Sequence, residues 1–275
     1  MEIKAVEVAK LRKMTGAGMM DCKKALVEAE GDYDRAKEII REKGKLVAAK
    51  RADRTTTEGA VIAKVSEDNK KAILVCLGCE TDFVANNQEF KDLVNKIADK
   101  ALEAFPKNLD ELKALDFDGM TIEEAVTQQT GKTGEKHELM YVSTLEAPFI
   151  ASYIHMNSKV ASIVGFNKEV SKEVGHGLAM QVTAMNPVSV SRDDCPQDVI
   201  EKELEIYREQ IRMEGKPEKL VDQIANGKLN KFFKERALED QEYTMVSKTS
   251  VKDYLKSVDP EIKVVGFRRF TLNDD

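Results

Sequence analysis

The strongest hydrophobic pattern lies in the first half of the chain. Residues 72–77 form a continuous apolar run rich in β-branched side chains, which predicts a strand buried on both faces. Apolar residues then recur at the 3.6-residue spacing, which predicts an amphipathic helix over residues 87–105. Asn86, with Glu89 three residues later, predicts a capping box at the helix start, and Pro106 predicts its end.

The residues Thr81, Asp82, Phe83 and Val84 lie at the corner between that strand and that helix. Binding residues are often presented on such connections. One interpretation is structural: Thr81 or Asp82 caps the turn, and Phe83 packs beneath the helix. The other is functional: Asp82 and Phe83 form an exposed pair, a carboxylate beside a rigid apolar wedge, suited to insertion into another protein. The residues alone leave both interpretations open.

Three short helices are predicted over residues 1–44, and glycine-containing turns separate them. Asp32 is expected to cap the third helix, and Gly44 is expected to lie beyond its end. Residues 45–58 carry several basic side chains and are predicted to be a linker that is helical at first. The first 44 residues therefore form a candidate module separate from the rest.

Two adjacent methionines, Met19 and Met20, lie at the start of the second predicted helix. Neighbouring residues on a helix cannot both face the core of so small a bundle. One methionine is therefore predicted to be buried, and the other to be an exposed and adaptable contact. Two partly buried methionines remain the alternative.

The order strand, strand, helix, strand occurs twice, once in residues 59–145 and once in residues 146–275. The fold class predicted is α+β, with two similar subdomains that each contain an antiparallel sheet covered by helices. In the first unit a hairpin precedes the helix, and the third strand is expected at residues 138–145. In the second unit the strands are expected at residues 149–155, 160–166 and 264–270, and the helix at residues 168–185.

Residues 196–240 interrupt the second of these units. Apolar spacing predicts two helices joined by a turn at Gly215-Lys216-Pro217, and therefore an antiparallel helical hairpin. Packing of the two helices on each other accounts for their apolar residues. An additional interface with another chain is the alternative.

The composition argues against several classes of function. Charged residues make up 33% of the chain, the net charge is −6, and acidic and basic residues are mixed, which does not favour a dedicated nucleic-acid binder. No apolar run is long enough to span a membrane, and the N-terminus resembles neither a signal peptide nor a transit peptide. The four scattered cysteines favour a reduced, cytoplasmic protein.

Two motifs suggest ligand binding, and their spacing argues against it. Gly131-Lys132-Thr133 resembles the end of a phosphate loop, but Val126 stands where the first glycine is needed. Cys76 and Cys79 form half of a zinc pattern without a second pair. The three histidines show no ligand spacing, and no catalytic nucleophile pattern is present. We therefore expect neither a bound metal nor any other cofactor.

Two stretches of the chain resemble signatures of the bacterial translation elongation factor Ts family. They are Leu11-Arg12-Lys13-Met14-Thr15-Gly16-Ala17-Gly18-Met19-Met20-Asp21-Cys22-Lys23-Lys24-Ala25-Leu26 and Cys79-Glu80-Thr81-Asp82-Phe83-Val84-Ala85, in the order found in the family. The resemblance covers nearly the whole chain, more loosely after Glu146. It implies a ubiquitin-associated-type three-helix module at residues 1–44, a core of two subdomains, and a protruding helical hairpin involved in assembly.

The resemblance also implies a function: a guanine-nucleotide exchange factor of elongation factor Tu, with no active site of its own. Thr81, Asp82, Phe83 and Val84 would intrude near the magnesium site of the partner, and Phe83 would displace the groups that hold the ion. The partner is a protein, so no direct nucleic-acid or membrane partner is implied, and the hairpin would allow self-association. The resemblance assigns further partner contacts to Arg12, Met19, Met20 and His155.

The turn after His155 departs from the family pattern, because Met156-Asn157-Ser158-Lys159 replaces a turn that usually contains glycine and arginine.

Two other classes of function are alternatives to nucleotide exchange. A small-molecule enzyme needs a convergent cluster of titratable groups, and the sequence indicates none. A scaffold built on the N-terminal module would explain residues 1–44 but would leave the corner at Thr81 without a purpose.

Overall fold

The computed structural model describes residues 3–272, which form helices and antiparallel sheets as expected for the α+β class. Residues 1–2 of the predicted module and residues 273–275 of the predicted second subdomain lie outside the described residues. Three helices come first, as predicted: α1 (Ala5–Thr15), α2 (Met19–Glu28) and α3 (Tyr33–Lys50).

The first sheet has three antiparallel strands in the order β1-β2-β5, and the predicted hairpin forms its first two strands. The helices of this unit follow β2 and precede β5 in the chain, and their buried apolar residues share one core cluster with Ile73 and Val75 on one face of the sheet. In chain order the elements are β1 (Glu58–Val65), β2 (Lys71–Cys79), α4 (Asp82–Ala85), α5 (Gln88–Ala104), α6 (Leu109–Ala114), the short strands β3 (Asp116–Phe117) and β4 (Met120–Thr121), α7 (Ile122–Thr133) and β5 (Glu138–Glu146).

The second sheet repeats this arrangement with the order β6-β7-β8. Its elements are β6 (Phe149–Ile154), β7 (Val160–Phe166), α8 (Lys172–Met185), α9 (Gln197–Met213), α10 (Glu218–Arg236), a 3-10 turn (Leu238–Asp240), α11 (Val251–Val258) and β8 (Val264–Thr271). Helices α9 and α10 pack on each other through Ile211, Val221 and Ala225. Helix α11 was not predicted from the sequence, although Val251, Tyr254, Leu255 and Val258 have helical spacing. Its eight residues are fewer than the window of about 11–18 residues over which that spacing is diagnostic.

The two sheets lie face to face, with helices on both outer sides. Alternate residues of β2 explain the continuous apolar run: Ile73 and Val75 face α5, whereas Leu74 and Cys76 face the second sheet. All four side chains are fully buried. Helix α8 covers the outer face of the second sheet through Leu178. The central strands are therefore buried on both faces, as the sequence pattern predicts.

The core of the N-terminal bundle is formed by Leu11, Cys22 and Leu26, which are fully buried. Met19 and Met20 are 42% and 64% exposed at the start of α2, so the prediction that one of them is buried is wrong. The buried side chains of α2 are Cys22, Ala25 and Leu26, on the face that packs against the other two helices.

The sequence predicts that the third helix ends before Gly44. This prediction is wrong, because α3 continues through Gly44 to Lys50. Gly44 is buried at a crossing with α7, where a Cβ atom on Gly131 would lie 2.7 Å from the Gly44 Cα atom. Gly44 therefore allows close packing of the two helices and does not end α3. This role depends on the contact with Gly131, which is far away in sequence. The first part of the predicted linker is accordingly helical, and the division of the chain into domains stays a prediction.

Candidate functional site

The chain passes from β2 to α5 through residues 80–87, which we call the corner. Thr81 lies at the N-cap of the short helix α4, and its Oγ1 accepts a hydrogen bond from the Val84 backbone N–H at 3.4 Å. This satisfies one of the amides that a helix start leaves without an internal partner. One part of the structural interpretation is thus confirmed, because Thr81 caps the turn.

Helix α5 begins one residue later than predicted. The side chain of Asn87 accepts a hydrogen bond from the Glu89 backbone N–H at 2.8 Å, so Asn87 is the N-cap. Asn86 instead closes α4, with its own N–H donating to the Asp82 carbonyl at 2.9 Å. The capping box predicted at Asn86 is therefore wrong, because an additional helical turn separates the strand from the long helix.

Phe83 lies on the solvent side of the corner, with 85% of its surface exposed. The chain has ten phenylalanines, all within the described residues, and the other nine are buried or half-buried. Asp82 beside it is also exposed, whereas Val84 packs against the core and Ala85 is buried. Phe83 therefore does not pack beneath the helix, and the corner presents a carboxylate and an aromatic ring side by side.

Four residues hold the corner by hydrogen bonds that cross between the end of β2 and the start of β5. The Glu135 carboxylate accepts from Thr81 Oγ1 at 2.7 Å and from the Thr81 backbone N–H at 3.1 Å. In the opposite direction, the Glu80 carboxylate accepts from the Lys136 backbone N–H at 2.6 Å. We call these bonds the crossed clamp. Its members are separated by more than fifty residues, which is why the sequence did not indicate it.

The crossed clamp also reaches the segment that follows α3. Arg51 Nη1 donates to both Glu80 carboxylate oxygens, at 2.8 and 2.9 Å. Lys136 Nζ donates to the carbonyls of Ala52 and Arg54 at 3.0 and 3.1 Å. The Lys136 N–H, followed by Arg51, holds the pKa of the Glu80 carboxyl below its ordinary value. Glu80 therefore remains charged near neutral pH.

A cleft of about 420 Å³ lies beside the corner. Asp82 lines one side of it, and the turn between β6 and β7 lines the other through Met156 and Lys159. Lys159 Nζ is 2.7 Å from Glu58 Oε2, an ion pair that ties the turn to β1. The fold thus brings Asp82 close to the turn that contains the predicted contact residue His155, a proximity with no signal in the sequence.

His155 is exposed just after the end of β6. The strand was predicted to include His155 but ends one residue earlier, at Ile154. Its Nδ1 lies 3.2 Å from the Tyr153 hydroxyl. The Tyr153 ring is also 5.3 Å from the ring of His176, in an edge-on arrangement. The imidazole is therefore held at the surface by an aromatic neighbour rather than by a charged one.

The predicted contacts of the N-terminal bundle lie elsewhere on the surface. Arg12 is exposed on α1, and its guanidinium forms no ion pair with any described residue. Met19 and Met20 are exposed nearby, and Met14 is 51% exposed on the same bundle. None of these residues lines the cleft beside the corner. The structure therefore presents two separate groups of candidate contacts.

The residues of the phosphate-loop-like motif have a structural role in the described part of the chain. Gly131 lies inside α7 at the crossing with α3, and a Cβ atom on Gly16 would meet the Lys132 side chain at 2.5 Å. No strand-loop-helix arrangement surrounds them, because residues 122–133 are helical. Phosphate binding by this motif requires that arrangement.

The cysteines and histidines do not assemble a metal site among residues 3–272, where no group of three His, Cys, Asp or Glu side chains has suitable geometry. Burial raises the pKa of both Cys76 and Cys79 to about 12, so these thiols stay protonated. Burial also lowers the pKa of His137, whose Nδ1 lies 2.9 Å from the Glu135 carbonyl. Within the same range, no helix is both long and apolar enough to cross a bilayer.

The fold and the corner together define a class: an α+β protein that presents an exposed aromatic residue on a hydrogen-bonded turn. A family model described as "Elongation factor TS" matches residues 80–274. The chain is 50% identical to "Elongation factor Ts" of Christiangramia forsetii over 273 residues, covering 98% of this chain and 99% of the relative. It is 45% identical to the proteins of that name from Flavobacterium psychrophilum and Porphyromonas gingivalis, covering at least 98% of each chain.

The chain therefore belongs to the elongation factor Ts family. This confirms the resemblance found in the two sequence signatures, and the match reaches well beyond them into the second sheet. Members of this family act in translation elongation as partners of elongation factor Tu.

Proposed function

We propose that this protein is the guanine-nucleotide exchange factor of elongation factor Tu in the cytoplasm. It binds the GDP-loaded GTPase, disturbs its magnesium and phosphate site, and promotes GDP release so that GTP can load. Family membership supports the choice of partner. The protein acts by binding, without an active site, a cofactor or a nucleic acid of its own.

In this proposal the corner is the part of the protein that acts on the nucleotide site of the partner. Thr81, Asp82, Phe83 and Val84 enter the partner beside its bound magnesium ion. A translational GTPase holds its nucleotide through backbone amides around the phosphates and through Mg²⁺ bridging phosphate oxygens. The Phe83 ring displaces groups that hold the ion, and Asp82 offers a carboxylate acceptor to donors that the displacement leaves unpaired. Loss of the ion then weakens the hold on GDP.

One observation carries this proposal: the Phe83 ring is 85% exposed on a turn whose backbone is hydrogen-bonded on both sides. Exposing an aromatic ring forgoes the stabilisation that its burial would bring. Aromatic residues in this position are typical anchors of protein interfaces. A turn that is already ordered loses less conformational entropy when it inserts into a partner.

The corner acts together with the other predicted contacts. Moving a two-state equilibrium from one form almost fully to the other requires about 5.5 kcal/mol of differential affinity. One aromatic residue seldom supplies that much, since few interface residues cost more than 2 kcal/mol when truncated. We propose that the remaining affinity comes from Arg12, Met19, Met20 and His155.

We further propose the domain division on which this arrangement rests. Residues 1–44 form a ubiquitin-associated-like module joined by residues 45–58 to subdomains at 59–145 and 146–275, with the hairpin insertion at 196–240. The repeated strand order of the two sheets supports the pair of subdomains. Met213, which is 82% exposed at the end of α9, supports self-association through the hairpin.

The direct test is release of fluorescent GDP from elongation factor Tu in a stopped-flow instrument. The proposal predicts that the chain accelerates release in a saturable way. Coupling between the two ligands is reciprocal, so excess GDP with Mg²⁺ must also dissociate the complex. Release at the unassisted rate with saturating chain would overturn the proposal.

A further inference from the structure

Glu135 lies outside the corner but contacts it more closely than any other side chain described above. Its carboxylate receives two hydrogen bonds from one residue, Thr81 Oγ1 at 2.7 Å and Thr81 N–H at 3.1 Å. Two bonds from a single residue fix the direction of that residue as well as its distance. Hydrogen bonds to an ionised acceptor are also about twice as strong as neutral ones.

The position of Glu135 is itself fixed by the end of α7. Gly134 closes that helix with a φ of 75°, a left-handed conformation that glycine adopts without steric cost. The next backbone N–H, that of Glu135, donates to Thr133 Oγ1 at 3.1 Å. The carboxylate therefore projects from an ordered helix end towards Thr81, two residues before Phe83.

We propose that Glu135 is a positioning residue for nucleotide exchange: it fixes Thr81 so that Phe83 is held in the orientation that inserts into the partner. This inference rests on the proposed function and adds to it a residue outside the sequence motif. Glu135 does not touch the nucleotide or the magnesium ion, and its effect passes entirely through Thr81.

A positioning role and a merely structural role differ in what they change. Loss of structure lowers the concentration of competent factor, so additional protein restores the rate. Loss of positioning lowers the rate at saturation, because each bound complex then samples the productive orientation less often. Misplacement of an interacting group by about 1 Å can cost 100-fold in rate.

The experiment compares Glu135→Ala and Glu135→Gln with the wild-type full chain in the stopped-flow release assay. Glu135→Ala removes both hydrogen bonds and should lower the release rate at saturating factor about tenfold, equivalent to about 1.4 kcal/mol. The concentration giving half-maximal rate should change by less than about threefold, a difference equivalent to under 1 kcal/mol. Glu135→Gln keeps one acceptor oxygen and should restore part of the rate.

Glu111→Ala is the matched control. The Glu111 carboxylate also accepts a backbone N–H, that of Lys107, at 2.7 Å, and it lies at α6 rather than at the corner. Its removal should leave the saturating rate unchanged. An equal fall in rate for both variants would overturn the positioning role, because loss of any such carboxylate would then have the same effect.

Two further measurements test whether the effect passes through the corner. In a Phe83→Ala background, Glu135→Ala should have no further effect on the saturating rate, since interacting sites are not additive. Hydrogen exchange should show faster exchange of the Thr81 amide in Glu135→Ala. Full additivity with Phe83→Ala, or unchanged Thr81 exchange, would overturn the inference.

Failure of the inference can be distinguished from failure of the proposed function. A wild-type chain that does not accelerate release overturns the proposed function and leaves Glu135 with no reaction to serve. A wild-type chain that accelerates release, with Glu135→Ala equally fast at saturation, overturns only the inference.

Discussion

The two sheets have the same strand order, yet their strand-to-helix junctions are built differently. In the first unit, residues 80–87 contain a helical turn and leave Phe83 85% exposed. In the second unit, residues 167–171 connect β7 to α8 directly, and Val170 is 7% exposed and packed in the core. The same topology therefore buries Val170 in one junction, whereas the other exposes Phe83 while keeping Val84 and Ala85 packed against the core.

Both junctions are nevertheless tied to the segment that leads into the third strand of their sheet. In the first, the carboxylates of Glu80 and Glu135 accept the hydrogen bonds. In the second, the Asn167 side chain forms two hydrogen bonds: its Nδ2 donates to the Glu261 carbonyl at 2.9 Å, and its Oδ1 accepts from the Lys263 N–H at 2.8 Å. Lys168 adds ion pairs to the same segment, with its Nζ 2.9 Å from Asp259 Oδ2 and 3.2 Å from Glu261 Oε2.

The comparison teaches that the fold alone does not require an exposed aromatic residue at this point. A shorter connection with a buried Val170 closes the equivalent corner of the second sheet. The additional turn and the exposed ring of the first junction are therefore features of that junction, and partner binding is the role we propose for them.

The largest expected effect comes from truncating one phenylalanine in each unit, Phe166 at the end of β7 and Phe83 in the corner after β2. Phe166, at the end of β7, is fully buried, so Phe166→Ala should lower the free energy of unfolding by about 3–5 kcal/mol. Phe83→Ala should lower it by less than about 0.5 kcal/mol, as expected for a surface site. Urea denaturation of both variants checks this. Equal losses of stability would remove the distinction between the junctions.

A smaller effect is expected at the two N-caps. Thr81 Oγ1 accepts from the Val84 N–H at 3.4 Å, and Ser171 Oγ accepts from the Val174 N–H at 3.3 Å. Ser171→Ala should cost about 1 kcal/mol of stability, the usual value of a cap. Thr81→Ala should cost more, because Thr81 Oγ1 also donates to the Glu135 carboxylate at 2.7 Å. Denaturation midpoints measure this, and GDP release should slow only for Thr81→Ala. Slower release by Ser171→Ala at saturation would indicate a general loss of structure.

The smallest effect is the pH dependence that Glu80 gives to the first junction. The pKa of Glu80 is lowered by the Lys136 N–H and by Arg51, so its charge stabilises the folded state above the unfolded pKa of about 4.3. This stability is lost as the pH falls through the lower folded pKa. Glu80→Gln should therefore lose less stability than the wild type between about pH 5 and pH 3.

Asn167→Ala is the control for that pH dependence, because an amide does not titrate in this range. Its destabilisation should be the same at neutral pH and at about pH 4. Urea denaturation across the pH series measures both variants. A stability difference between wild type and Glu80→Gln that does not change with pH would contradict the account of the crossed clamp.

Local sequence patterns predicted the elements well where one face of each is buried. The strand over residues 72–77 is marked by a continuous apolar run, and the amphipathic helix and the helical hairpin by regular spacing of apolar residues, both of which are local information. The position of Phe83 at the corner, away from the apolar stripe of α5, likewise left its exposure open as one of two interpretations.

The failures share a physical cause, which is contact between residues far apart in sequence. Gly44 continues its helix because it packs against Gly131, and no local pattern distinguishes that role from helix termination. Met20 is exposed because it lies on the face of α2 opposite to Cys22, Ala25 and Leu26, which pack against the other two helices. The hydrogen bonds of Glu135 to Thr81 and the cleft at Asp82 depend equally on the assembled fold.

The central claim is that Phe83 serves the partner rather than the fold, and Phe83→Ala tests it directly. A thermal melt and a GDP-release assay are made on the same sample, with Met245→Ala as the control because Met245 is 61% exposed in a loop of the second unit. The account predicts unchanged melting for both variants and slower release at saturation for Phe83→Ala alone. A large loss of stability with unchanged release per folded molecule would contradict it and return the corner to a structural role.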